Sequence, residues 1–459
     1  MMRRRSVAAG ALALVAAPAV LRNAHAQGSA PGTVSGKTTI QFWHGLTQPL
    51  GGILEGLAKE FSDSQGNYAV EASFRGSYPE TMVAAIAAFR ANSAPHIVQM
   101  FEVGTATMIA AGRAVKPLHE LIRETGVAID TDDIIPPVKG YYALADGRLM
   151  SMPFNSSTAI TYYNKDAFRK AGLDPDKFPA TWEGVEAAAR KLKAAGVATP
   201  VSTSWPTWLH VEELSAIHDV PLATQQNGFT GLNAELTVDN PLVRKHWANL
   251  AKWQSEGLFR YGGRDAAGDS IFPAGEAAIT FASSGMRARV VKEAQFDWGV
   301  AMLPFYEGTS PRNSIIGGAS FWAMNKGPSA GATGGRTPAE WKAVTEFYRF
   351  LNEPERAAKW HQDTGYVPVT KKGYELTRAS GFYTKNPGAD VPIEQMLRGG
   401  DTTPNTRGIR LGGFPEIRTI MAEEMERTFQ GAQTADQALS NAQRRGNTVL
   451  RNFERANKA

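Results

Sequence analysis

The stretch TTIQFWHGLTQPLGGILEGLAKEFSDSQGNYAVEASFRGSYPETMVAAIAAFRANSAPHIVQMFE, residues 38–102, decides the fold class. Residues 38–43 are rich in β-forming side chains and predict a strand. Ile53, Leu54, Leu57, Ala58 and Phe61 then recur at helical spacing. Tyr68, Val70, Ala72 and Phe74 alternate, which predicts a second strand ending near Gly76. Pro79 suits the opening of a helix that would bury Met82, Ile86 and Phe89. His96 to Phe101 is a short apolar strand, and residues 104–112 return to helical spacing. Strand and helix in alternation predict an α/β lobe with a largely parallel sheet. Open sheets of that kind bind ligands beyond the carboxyl ends of their strands, and Tyr78 and Glu102 fall just past two such ends.

Outward from this stretch the pattern repeats. A chain of 459 residues is too long for one ordinary core, so two lobes of roughly 150–220 residues are expected. The second begins near Thr158, with a strand at 159–164 and a helix from Asp166, broken at Leu173-Asp174-Pro175. Thr181 suits the cap of a helix reaching Ala195, with Val185, Ala188 and Leu192 on one face. Residues 276–281 and 315–324 are expected as buried strands, and 326–339 as a Gly/Pro/Ser-rich surface loop. A last helix starts at Thr434, where Thr434 and Gln437 fit a capping box.

The first 26 residues carry the marks of an export signal. Arg3, Arg4 and Arg5 precede an apolar run from Val7 to Leu21, and Ala24-His25-Ala26 is a small-x-small cleavage signature. Cleavage near Ala26 would leave a flexible leader over 27–36. It would also remove four of the 49 basic residues and none of the 44 acids, so the remaining chain is close to neutral. That balance offers no footprint for nucleic acid. With no cysteine anywhere, disulfides, thiolate metal sites and thiol nucleophiles are excluded, and no lipidated cysteine follows the cleavage point.

Catalytic patterns are absent. His210-Val211-Glu212-Glu213 lacks the second histidine of a zinc helix and reads as a surface histidine. Glu212-Glu213 and Glu423-Glu424 read as solvated carboxylates on polar helices. Neither phosphate-cradling glycine motif occurs, and Ser283-Ser284-Gly285 lacks the first glycine of a nucleophile elbow. No cofactor and no metal are expected.

What is present is chemistry for holding a small polar anion. Residues 154–158 (FNSST), 281–285 (FASSG) and 315–320 (IIGGAS) combine hydroxyls with unhindered glycine amides, though each is also ordinary turn composition. In 412–418 (GGFPEIR), Pro415 suits a helix start and places Arg418 in the first turn, against the helix dipole. An anion at the helix entrance would account for it; so would a solvated surface arginine, since no carboxylate sits one turn away. Trp205 and Trp208 offer two indole faces in a loop-like stretch, suited either to a polyol or to the core.

Several motifs then occur in one order: Phe42-Trp43-His44, Gly104-Thr105-Ala106-Thr107-Met108 after Glu102, residues 153–158 (PFNSST), 162–168 (YYNKDAF), 282–285 (ASSG), 315–320 (IIGGAS), 360–366 (WHQDTGY) and 385–390 (KNPGAD). Together they closely resemble the periplasmic sn-glycerol-3-phosphate receptors of extracellular solute-binding protein family 1, which serve ABC importers. The resemblance implies a type II periplasmic binding protein-like α/β fold, two lobes joined by crossing hinge strands. One lobe would hold 27–157 and about 319–378, the other 158–318 and about 379–459. It implies a phosphate held by Ser157, Ser283, the Gly318 amide, Tyr366 and Arg418, and a glycerol end meeting Tyr78, Glu102, Trp205 and Trp208. It implies a non-enzymatic, monomeric periplasmic receptor, with a membrane permease and ATPase as partners. Glycerophosphodiesters such as glycerophosphocholine are the alternative ligand, and a secreted phosphoesterase is the distant alternative. Arg287 and Arg289 make the segment after Ser283-Ser284-Gly285 more basic than in better-known members, and are expected to lie off the matched set.

Overall fold

The computed structural model describes residues 36–327 and 335–458. The targeting segment, its cleavage point, the leader up to residue 35 and residues 328–334 of the expected loop lie outside the described residues.

Two sheets organise the chain. Strands β1 (Thr38–His44), β2 (Tyr68–Phe74), β3 (Ile97–Phe101), β4 (Val115–Lys116) and β5 (Met152–Ser157) enter the first sheet. Strands β6 (Ala159–Asn164), β7 (Val201–Thr203), β8 (Phe259–Tyr261), β9 (Ile279–Ser283) and β10 (Trp298–Ala301) make the second, in the order β10-β6-β9-β7-β8. Strand β11 (Gly317–Met324) then returns to the first sheet, giving β2-β1-β3-β11-β4 with β5 also on β11. Only Thr158 separates β5 from β6, so the chain crosses between lobes there, and crosses back at Ile315-Ile316.

The first sheet is largely parallel, as expected, and mixed only through β11: β1 to β5 all run the same way and β11 alone opposes them. Strands β1, β2 and β3 run parallel, but β11 is antiparallel to β3, β4 and β5. The reason is topological: β11 enters from the other lobe, not through a local crossover helix. The second sheet is mixed likewise, with β7 parallel to β8 and β9, and β6 antiparallel to β9 and β10.

Helix prediction succeeded where caps and periodicity agree. Thr181 accepts the N–H of Gly184 and opens helix Trp182–Ala194, whose Val185, Ala188 and Leu192 are buried. Thr434 and Gln437 form the capping box of helix Ala435–Asn457. Helix Tyr78–Arg90 differs from expectation. It buries Tyr78, Thr81, Ala85 and Ala88 and leaves Ile86 39% exposed. Small side chains let it lie close on β3, so the bulky ones flank the contact. Phe74, the last of the alternating residues, is 48% exposed at the end of β2.

The expected surface loop after β11 has a buried residue near its C-terminal end. Arg336 is buried, giving Nε to the Met324 carbonyl and Nη2 to those of Ala94 and Pro95. Thr337 and Glu340 form a capping box, and a helix begins at Pro338.

Aromatic packing fills each lobe. In the first, Phe42, Phe154 and Phe321 meet at centroid distances of 4.7 Å, with Trp360 4.5 Å from Phe154. In the second, Trp182 packs edge-on against Phe281 and His246.

Candidate functional site

The carboxyl ends of parallel strands from both sheets face one cleft, as open α/β sheets dispose them. A cavity of about 430 Å³ lies there. Tyr78, Glu102, Ser157, Trp205, Trp208, Ser283, Gly318, Tyr366 and Arg418 all line it, so the structure brings together all nine residues singled out from the sequence.

Local chemistry positions each one. Ser157 ends β5 opposite Gly317 of β11. Gly318 has φ +83°, and a Cβ there would run into the Asn155 carbonyl oxygen, so only glycine fits this approach of two strands. Ser283 ends β9 and accepts the N–H of Gly285 at 3.2 Å, turning the chain into a short 3₁₀ helix. Tyr366 stacks on Trp360 at 5.7 Å with planes 6° apart. A buried amide relay supports Tyr78: Asn155 Nδ2 donates to its hydroxyl at 2.9 Å, Gln99 Nε2 to Asn155 Oδ1 at 2.8 Å, and the Gly45 N–H to Gln99 Oε1 at 2.9 Å. Burial raises the pKa of the Tyr78 hydroxyl, and lifts that of Tyr366 to about 12, so both remain hydrogen-bond donors at neutral pH.

The two indoles sit differently. Trp208 is buried at the start of a π-helical turn, Trp208–Glu213, and a Cβ on Gly317 would strike it. Trp205 is half-buried, 6.1 Å from the Tyr78 ring, with φ +51°. Its backbone N–H donates at 2.7 Å to the backbone carbonyl of Asp265, itself at φ +47°. Two non-glycine residues in the left-handed region, joined by a hydrogen bond at the cavity wall, mark backbone strain held by its surroundings.

Arg418 is neither a solvated nor a lone cation. It is buried at the fifth position of helix Phe414–Phe429. Nε and Nη2 donate to Glu212 at 2.6 and 2.8 Å, and Nη2 also reaches Glu102 Oε1 at 2.5 Å. Burial opposes the charge on Arg418, but the two carboxylates outweigh it and raise its pKa. Burial likewise raises Glu102, while Arg418 pulls it back down.

The carboxylates on 208–217 correct the sequence reading. Glu212 and Glu213 are buried, not solvated, and so is His210, not a surface residue. His210 meets His246 at 2.9 Å and Thr203 Oγ1 at 3.0 Å, and burial drives its pKa down to about 3, so it is neutral. Glu424 is also buried, bonded to Arg445 and Gln433. The signal was available: residues 208–217 (WLHVEELSAI) flank their acids with apolar side chains and leave no polar face.

Sequence reasoning also missed lining residues. Gln48, Asp265, Asp269 and Met286 border the cavity, and so does Arg289, which was expected to lie off the set. Burial raises Asp269 to about 6. Arg287 points elsewhere, donating to Asn386 and lying over Phe382. Among the described residues no cluster of histidine, aspartate or glutamate is placed to hold a metal ion.

Known proteins share this architecture and sequence. The family described as bacterial extracellular solute-binding protein matches residues 56–390. The sn-glycerol-3-phosphate-binding periplasmic protein UgpB of Yersinia pseudotuberculosis is 43% identical over 424 residues, covering 92% of this chain and 94% of that protein. The protein of the same name from Escherichia coli K12 is 43% identical over 431 residues, covering 93% and 96%. Among solved structures, UgpB from Mycobacterium tuberculosis in complex with glycerophosphocholine superposes with a TM-score of 0.74 at 22% identity, covering 91% of this chain and 99% of that one. A ribitol-bound ABC transporter solute-binding protein from Agrobacterium radiobacter K84 gives 0.72 at 19%, covering 90% and 98%. These structural likenesses show the two-lobed α/β fold. The chain belongs to the bacterial extracellular solute-binding protein family, among its UgpB-type members, and is a solute-binding receptor.

Proposed function

We propose that this receptor captures sn-glycerol 3-phosphate in the interlobe cleft and delivers it, from the periplasm, to the permease of an ABC importer. The observation that carries the reading is the single cavity shared by Ser157, Ser283, Gly318, Tyr366 and Arg418 on one side of the chemistry and Tyr78, Glu102, Trp205 and Trp208 on the other. Hydroxyls, a glycine amide and a guanidinium suit a phosphate; a carboxylate and two indoles suit the hydroxyls and C–H faces of glycerol. The volume lies within the roughly 300–1,000 Å³ usual for small-molecule sites. The 43% identity to receptors named for this ligand supports the choice.

In this reading Glu102 and Glu212 orient Arg418 before the ligand arrives, so little ordering is left to binding. Closure of the two lobes about the crossings at Thr158 and Ile315-Ile316 would bury the ligand. Titration calorimetry with sn-glycerol 3-phosphate tests it: a saturable heat at micromolar concentrations is expected, and its absence overturns the ligand assignment.

A second reading keeps the receptor and changes the cargo to a glycerophosphodiester. Room beyond the matched residues favours it, with Asp265 and Asp269 lining the same cavity as carboxyl groups whose negative charge suits a cationic head group. Competition between glycerophosphocholine and sn-glycerol 3-phosphate for one site measures which is preferred.

A further inference from the structure

Six charged side chains line the cavity: Glu102, Arg264, Asp265, Asp269, Arg289 and Arg418. Two of the three cations are already committed to carboxylates. Arg264 gives Nε and Nη2 to Glu426 at 2.8 and 2.6 Å. Arg418 is shared between Glu212 and Glu102. Arg289 is different: among the described residues no carboxylate lies within ion-pair distance of it, although its charge reaches Asp269 across the wall and favours that group's ionised form. Its hydrogen bond goes from Nη2 to the backbone carbonyl of Gln48 at 2.8 Å.

That bond also has a direction. Arg289 belongs to helix Arg287–Glu293, which follows Ser283 out of the second sheet. Gln48 lies in the loop after β1 of the first. The bond therefore spans the cleft; Arg289 as a residue is half-buried in the cavity wall with Ser283, Gly285 and Met286, and the bond itself is open to solvent.

We infer that Arg289 is a specificity-determining residue, which ties the lobes together across the cleft and supplies the uncommitted positive charge needed for a phosphate monoester. The inference rests on the phosphate-ester reading above and deepens it. Because each of the other two lining arginines is matched by carboxylate, a dianion would otherwise meet a wall that is neutral or acidic. A monoester carries nearly two charges at neutral pH, a diester one and a polyol none, so dependence on Arg289 must fall in that order. An interlobe tie alone would produce no such order, since it serves every ligand equally.

Calorimetry on the full-length mature protein separates the alternatives. R289Q removes the charge, R289K keeps it, and each is titrated with sn-glycerol 3-phosphate and with glycerophosphocholine at low and high salt. R289Q is expected to weaken the monoester by roughly 10- to 100-fold, the diester by clearly less, and to flatten the salt dependence; R289K should stay within about 5-fold of wild type. Equal losses for both ligands, or no loss for the monoester, overturn the inference while leaving the receptor reading intact. Wild-type protein that binds neither ester overturns both. A melting temperature for R289Q close to that of wild type shows that the fold is not the cause.

Discussion

Glu213 Oε2 accepts the backbone N–H of Ile315 at 3.1 Å, while Glu213 Oε1 accepts that of Ala159 at 3.3 Å. One buried carboxyl thus holds two of the segments by which the chain passes between lobes, those on either side of the second sheet. Thr158 completes the knot, its Oγ1 meeting Ser314 Oγ at 2.7 Å and the Ile315 carbonyl at 2.8 Å. The side chain stands next to Glu212, so the π-helical turn that grips Arg418 also grips the hinge.

Glu213 makes stability depend on pH. Burial raises its pKa to about 8, against an unfolded value near the usual carboxylate range, about 4.3. Between these values the folded chain binds a proton that the unfolded chain has released. Stability from this group therefore falls as pH rises from about 4.3 to 8, then levels off, the total being of order a few kcal/mol. Thermal melts of wild type and E213Q from pH 5 to 9 should show the wild type losing ground to the variant up to about pH 8. Parallel curves would contradict the assignment.

Removing the Arg418 guanidinium leaves Glu102 and Glu212 buried without a cation. R418M should abolish ligand binding and destabilise the unliganded protein by about 3–5 kcal/mol, as breaking a buried pair does. Adding E212Q to R418M should recover part of that stability but none of the binding. Urea unfolding of the single and double variants checks the coupling, and additive losses would mean that the pair is not energetically joined.

Gly318 should tolerate no side chain. G318A forces a Cβ against the Asn155 carbonyl and places alanine at φ +83°. A loss of about 2 kcal/mol or more is expected, together with weaker ligand binding, because β5 and β11 must shift where Ser157 is presented. An alanine variant with unchanged melting temperature and affinity would show that the strands separate freely here.

The two indoles should separate binding from stability. W205A removes a half-buried face and is expected to cut affinity about 10-fold with a small change in melting temperature. W208A empties a buried site and should cost about 3–5 kcal/mol as well. Calorimetry and denaturant melts on both variants check this, and ligand-induced fluorescence change should be reduced in W205A. Equal effects of the two on stability would mean that Trp205 is packed more firmly than its exposure indicates.

What the chain alone determined is its local grammar. The cap of helix Trp182–Ala194, the capping box at Thr434 and the strands at 38–44 and 159–164 depend on neighbours a few residues apart, and all were legible. Nine of the cavity-lining residues were legible because small hydroxyl and glycine clusters stand at strand ends, and because the motifs' order matches a family. Tertiary structure decided the rest. Arg418 finds Glu212 and Glu102 at sequence separations of 206 and 316, Arg289 finds Gln48 at 241, and Glu213 finds Ile315 at 102. No periodicity encodes such pairs. They exist only once the two sheets face each other, and that facing turns residues with the look of a solvated surface into buried, charge-matched parts of a hinge and a binding cleft.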